Sequence, residues 1–184
     1  MYEPFARLLE EQGIPPSTFS KFRPWLTAFL SGTLYSTDHG VEAQLGVDQF
    51  LQNWIFARGD LTLSYLETME EQIDMFANLP PAQEQKLFEL AVEQSSDLAT
   101  VIEEVVEAWT TWDETELYRL SFGQRDARTL RRILLDDRNL TWAGRIDGLA
   151  TQHDSIFVAV GSGHLVGDNN LIEVLTQLGW ELQD

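Results

Sequence analysis

Apolar positions recur every three to four residues over most of this chain, and only three short stretches break that rhythm. Val47, Phe50, Leu51, Trp54 and Ile55 follow i, i+3, i+4, i+7, i+8 and predict an amphipathic helix. Phe5, Leu8 and Leu9 give residues 2–12 the same spacing, up to Gly13. Pro15-Pro16 then breaks the chain, and Ser17 or Thr18 can cap a second helix to about Leu30, kinked by Pro24 unless it starts later. His39-Gly40 closes a polar turn, and Thr68-x-x-Glu71 is a capping box that opens a helix just after Glu67. Pro80-Pro81 starts a long stretch with Leu87, Ala91, Leu98, Val101, Val105 and Ala108 on one stripe, which Ser95-Ser96-Asp97 can split. Helices are also expected over 113–121, 125–136, from an Asn139 cap to about Ala150, and over 169–178 before Gly179. The three exceptions read as strands: LTLSYL at 61–66, WELQ at 180–183 and, clearest of all, the uncharged, β-branched SIFVAV at 155–160.

This pattern predicts an α/β fold: helix-rich, with a small, mainly parallel sheet covered by helices. A single domain over 1–184 is expected, with 1–40 as a helical lead-in. Three short strands make a poor sheet alone, since sheets usually hold about four to six. Either the sheet is completed elsewhere or this chain is part of something larger, and a bare sheet edge is expected to favour a homo-oligomer.

Charge narrows the partners. The chain carries 30 acidic and 12 basic residues, a formal net charge of −18, which argues against nucleic acid and anionic lipid surfaces. The basic residues cluster once, at Arg125, Arg128, Arg131 and Arg132, best read as a solvated helix face paired with local acids. No run approaches the ~20 apolar residues of a membrane span. The absence of cysteine excludes disulfides, thiolate metal sites and a Cys nucleophile, and leaves the compartment open.

Candidate chemistry rests on one of only three histidines. In open α/β sheets ligands gather beyond the carboxyl ends of strands. Glu67 follows one candidate strand and His164 another, so parallel strands would bring a carboxylate and an imidazole together, with Arg138 near both. Gly161 and Gly163 would let the backbone turn sharply beside a ligand. An imidazole with a carboxylate suits divalent metals and general acid–base work. The plainer alternative remains open for each: a histidine on a glycine turn, an acid at a helix N-terminus, and Arg138-Asn139 as a surface charge and a cap.

Taken together, LLDDRNLTWAGRIDGL (134–149) and FVAVGSGHLVGDNNLIEVLTQLGWEL (157–182) resemble the closing segment of the TraB/GumN family, which also contains the Tiki Wnt-cleaving proteases. HGVEAQLGVDQFL (39–51) and LSYLETMEEQIDMFANLPPAQEQKL (63–87) are similar to that family's middle portion. The resemblance runs from about residue 20 to the end and implies the later two-thirds of such a domain.

It further implies a metal-dependent hydrolase, a peptidase by the Tiki relation, acting on a peptide or small molecule. The family's divalent-metal site is thought to use two G-x-x-H elements with acidic and polar residues, and Gly161-Ser-Gly-His164 matches the second. His164 would then be a metal ligand, and Glu67 a ligand or the base that activates water. Arg138 would stabilise an oxyanion or orient a carboxylate, with Gly161, Gly163 and Asn139 supporting the loop. Manganese or cobalt would be preferred over zinc. The remaining histidines, His39 in DHG and His153 in TQHD, do not follow Gly-x-x. The expectation is an impaired hydrolase lacking the first G-x-x-H and the strands around it, and the alternative a non-catalytic binding module for a ligand or protein.

Overall fold

The structure is a computed structural model that describes residues 6, 9–11, 13–38, 41–95, 97–123 and 125–183; of residues 34–38, 43, 95, 98 and 125 it describes the backbone alone. Helices dominate. In chain order they are α1 Pro24–Asp38, α2 Val47–Arg58, α3 Met69–Ala77, α4 Pro81–Ser95, α5 Leu98–Thr111, α6 Glu114–Tyr118, α7 Arg128–Arg131, α8 Asp137–Ala150 and α9 Leu171–Gln177. A π-helical turn, Arg132–Asp136, joins α7 to α8, and short 3₁₀ turns cover Pro16–Phe19 and Ser162–His164.

The predicted sheet is absent: no described residue is in a strand or a bridge, which overturns the α/β reading with its parallel sheet. Residues 61–66, 155–160 and 180–183 are instead non-helical segments without a ladder partner among the described residues. Their composition still shapes the chain. Ile156 and Val160 pack into a core while Phe157, between them in sequence, is 84% exposed. Val158 and Ala159 are exposed too, so the segment does not alternate between inside and outside, and a strand exists only where a second segment supplies the hydrogen bonds.

The helices fall into two compact units, residues 1–42 with 76–102 and residues 43–75 with 103–184. In the first unit α1 packs on α4, and Leu9, Phe19, Ala28, Phe88 and Val92 form the core. Pro24 opens α1 instead of kinking a longer helix, since its missing N–H and fixed φ are harmless in a first turn. Arg23, just before it, donates Nε and Nη2 to the two carboxylate oxygens of Glu84, both at 3.0 Å. The expected helix over 2–12 and the His39-Gly40 turn lie largely outside the described residues.

In the second unit α8 packs on α9. Trp142, Ala143, Ile146, Leu171 and Val174 form its core, with Leu66, Ile156, Val160, Leu165 and Trp180 around them. The capping box is as predicted: Thr68 N–H donates to Glu71 and Glu71 N–H to the Thr68 hydroxyl, at 2.7 and 3.1 Å. The 47–58 helix forms and ends at Gly59, whose φ of 71° closes it, yet none of its residues is buried.

The arginine cluster is not uniformly solvated. Arg132 pairs with Asp137 at 2.9 Å, as a surface face would. Arg131 is only 4% exposed; it donates to the carbonyls of Ser121 and Val166 and lies over the Tyr118 ring. The side chain of Arg125 lies outside the described residues.

Candidate functional site

Glu67, Arg138, Asn139 and His164 come together, though not by the predicted route. With no sheet to align two strand ends, helix α8 does the work. Arg138 and Asn139 are its second and third residues, the Ser162–His164 turn brings His164 to them, and the segment before α3 brings Glu67.

Asn139 was expected to cap a helix; it lies inside one, because the preceding π turn starts helical backbone earlier. A fully buried amide in a helix needs tertiary partners, and it has them. Its Nδ2 donates to the Asn169 carbonyl at 2.9 Å, and its Oδ1 stands 2.7 Å from Nδ1 of His164. The amide oxygen can only accept, so Nδ1 carries the imidazole proton and Nε2 keeps a lone pair. That lone pair faces Nη1 of Arg138 at 3.4 Å.

Arg138 is held on every side. Nε and Nη2 donate to the two oxygens of Glu67 at 3.0 and 2.5 Å, and Nη1 donates to the Leu134 carbonyl at 2.8 Å. Its guanidinium carbon lies 4.5 Å from the centre of the Trp142 ring, whose other neighbour is the His164 ring at 4.3 Å. Glu67 also accepts from Gln72 at 3.2 Å. Burial, followed by the nearby charges of Arg138 and Arg131, pushes the His164 pKa down to about 4. The imidazole is therefore neutral at pH 7.

The two glycines play different parts from those expected. Neither has a positive φ. A Cβ at Gly163 would meet Ser121 Oγ at 2.7 Å, so this glycine is required for close packing against the chain itself. At Gly161 a Cβ would make only an ordinary 3.9 Å contact with His164, so nothing in the turn demands glycine there.

Beside these residues lies a cleft of about 320 Å³ whose walls include Glu67, Met75, Asp137, Arg138, Thr141 and Trp142; His164 does not reach its wall. Arg145 and Glu71 also line it. Arg145 donates to both Glu71 oxygens and to the Leu66 carbonyl, and Glu71 is lowered to about pKa 2 by Arg145 and the Thr68 N–H. Sequence reading missed this second pair. The signal was available: Glu67 and Glu71 stand one helical turn apart and Arg138 and Arg145 two, so two arginines on one face of α8 meet two acids. His153 is exposed, and no cluster of three His, Asp or Glu able to hold a metal occurs among the described residues.

The sequence profile of the TraB/PrgY/gumN family matches residues 1–184, and the chain belongs to that family. Among curated proteins it is similar to an uncharacterized protein, YbaP, of Escherichia coli (strain K12), with 26% identity over 167 residues covering 90% of this chain and 61% of the relative. The YbaP protein of Shigella flexneri matches with the same identity and coverage. The chain thus spans about three-fifths of the length of these relatives. No solved structure matches it. Among the described residues no helix is long and apolar enough to cross a membrane.

Proposed function

We propose that this chain binds a small molecule or a peptide in the cleft beside α8 and turns it over weakly or not at all, as an impaired relative of the metal-dependent hydrolases that the TraB/GumN resemblance implies. One observation carries this reading: the guanidinium of Arg138 stands between the Glu67 carboxylate and Nε2 of His164. In a working metal centre both groups would face the ion, at bonds of about 2.0–2.6 Å. Here both face a protein cation, and one imidazole with one carboxylate falls short of the three protein ligands a catalytic zinc site generally needs. As arranged, the donor set does not fit manganese, cobalt or zinc. The cleft itself offers an aromatic face at Trp142, the apolar Met75 and polar edges at Asp137 and Thr141, a lining suited to a mixed polar and apolar ligand.

A second reading, with hydrolysis by the chain itself, is favoured by the state of His164. Its proton is fixed on Nδ1 by Asn139 and its Nε2 lone pair is unprotonated at pH 7, as a general base requires. Arg138 would then hold a developing oxyanion or a substrate carboxylate. The test is to incubate the purified chain with short peptides and chromogenic esters, with and without Mn²⁺, Co²⁺ and Zn²⁺, beside His164→Ala. Calorimetry with the same peptides follows binding. Saturable binding with no turnover above the His164→Ala background supports the first reading. Turnover that His164→Ala abolishes selects the second.

A further inference from the structure

We infer that Arg138 is the resident cation of this site: its guanidinium fills the place between Glu67 and His164 that a divalent metal would need, and so excludes Mn²⁺, Co²⁺ and Zn²⁺ from the folded chain. This rests on reading Glu67, Arg138 and His164 as the functional site, and it names what keeps that site from loading.

The geometry makes the two occupants exclusive. A metal bound to His164 Nε2 and to a Glu67 oxygen would sit about 2.0–2.6 Å from each. Guanidinium nitrogens already stand 3.4 Å from Nε2, and 3.0 and 2.5 Å from the two Glu67 oxygens. An ion among them would meet those nitrogens at contact distance and face a unit positive charge in a largely buried setting, where Coulomb repulsion is poorly screened.

Nor is the arginine free to step aside. Besides Glu67 it is tied to the Leu134 carbonyl at 2.8 Å and lies over Trp142. The neighbouring acids that could receive it on the cleft wall are engaged, Glu71 by Arg145 and Asp137 by Arg132. Displacing Arg138 would leave a partly buried cation without its carboxylate, which disfavours exchange. A purely structural ion pair would need only Glu67. The resident-cation role is marked by the imidazole, whose second nitrogen points at the guanidinium while its first is bound to Asn139.

The experiment is titration with Co²⁺, followed by its visible absorption, and with Mn²⁺, followed by the loss of its free EPR signal. The chains are wild type, Arg138→Met and Arg138→Met/His164→Ala, each checked for native circular dichroism. Wild type is expected to leave both ions free up to millimolar concentrations. Arg138→Met should gain a saturable site at least tenfold tighter than any wild-type binding, and the double variant should lose it.

Wild-type binding that depends on His164 overturns the inference. So does a folded Arg138→Met chain that binds no better than wild type. If Arg138→Met fails to fold, wild type still decides the matter: Zn²⁺ at millimolar concentration must leave the His164 ring resonances unshifted, and a shift at Nε2 overturns the proposal. The outcome is separable from the reading beneath it. Metal uptake by a chain that also binds peptides sinks the resident cation and leaves the binding module standing. Metal exclusion in a chain that binds no ligand does the reverse.

Discussion

Each compact unit contains a part-buried forked arginine–glutamate pair, and these two are built almost alike. In the first, Arg23 grips both oxygens of Glu84 and sends Nη1 to the Ala77 carbonyl. In the second, Arg138 grips both oxygens of Glu67 and sends Nη1 to the Leu134 carbonyl. The surroundings differ. The Arg23 side chain is 50% exposed over a Glu84 of 8%, whereas Arg138 and Glu67 are 20% and 19% exposed. Only Arg138 has an aromatic face against it and an imidazole lone pair in front of it. An ion pair alone therefore says little about function or net stability. What sets the second pair apart is a third group, His164, whose acceptor nitrogen faces that arginine.

The largest break of this contrast comes at Asn139, which has no counterpart beside Arg23. Asn139→Leu strands the Nδ1–H of His164 and the carbonyl of Asn169, two polar groups in or beside the core. At roughly 1–3 kcal/mol for the buried ring N–H left unpaired, and less for the carbonyl of the exposed Asn169, the expected loss is about 3–4 kcal/mol. The shift in urea midpoint measures it, and a loss below about 1 kcal/mol would mean that Asn139 does not hold the ring.

The next effect is a dependence on acid that only the second pair should confer. The folded chain holds His164 at about 4, well below the imidazole value of about 6.5 expected when unfolded. Between those limits the unfolded chain takes up a proton that the folded chain refuses. Stability is therefore intact well above pH 6.5, falls as the pH drops through 6.5, has lost roughly 3 kcal/mol at pH 4, and levels off about a unit below that. Urea midpoints from pH 7 to pH 4 for wild type and His164→Gln isolate the effect, since other acids titrate in both chains. Parallel curves would show that His164 titrates normally.

The same pair shows how far the sequence could be read. Periodicity found the helices because each needs only its own residues and an apolar stripe, and the Thr68 box placed the start of α3. The strands failed because pairing is not a property of the segment: SIFVAV is strongly β-prone, yet no described segment pairs with it in a ladder. Glu67, Arg138 and His164 were expected to meet, and do, but through α8 and a 3₁₀ turn rather than a sheet edge. The role of Asn139 was hidden because a cap and a buried helical amide look the same in sequence; only the π turn before it decides. Arg131 looked like its surface neighbours Arg128 and Arg132 because the spacing of the arginines does not say which of them meets the Ser121 and Val166 carbonyls.

A direct comparison of the two carboxylates sharpens the contrast at a smaller scale. Glu67→Gln leaves Arg138 uncompensated at 20% exposure beside an imidazole that cannot take a charge cheaply, and about 2 kcal/mol is expected to be lost. Glu84→Gln leaves an Arg23 that is half in water and can rehydrate, so about 1 kcal/mol is expected despite the deeper burial of Glu84 itself. Equal losses would mean that arginine exposure is not what separates the two sites. The readout is again the urea midpoint, with the variants studied at pH 7.

The smallest effect belongs to Arg145, and it tests whether the second ion pair on α8 is part of the site or merely a clip. Arg145 and Glu71 are 37% and 47% exposed, and Arg145 has no imidazole or aromatic ring in its hydrogen-bond and ring contacts. An exposed pair of this kind contributes little to stability and is screened by salt. Arg145→Ala should therefore lower stability slightly at low ionic strength and hardly at all in half-molar salt. It should leave the acid dependence unchanged, because burial, and after it the charges of Arg138 and Arg131 rather than Arg145, hold His164 down. A steeper acid dependence in Arg145→Ala, or a stability loss that salt does not erase, would show that the two arginines act as one unit. The site would then extend along two turns of α8 rather than ending at Arg138.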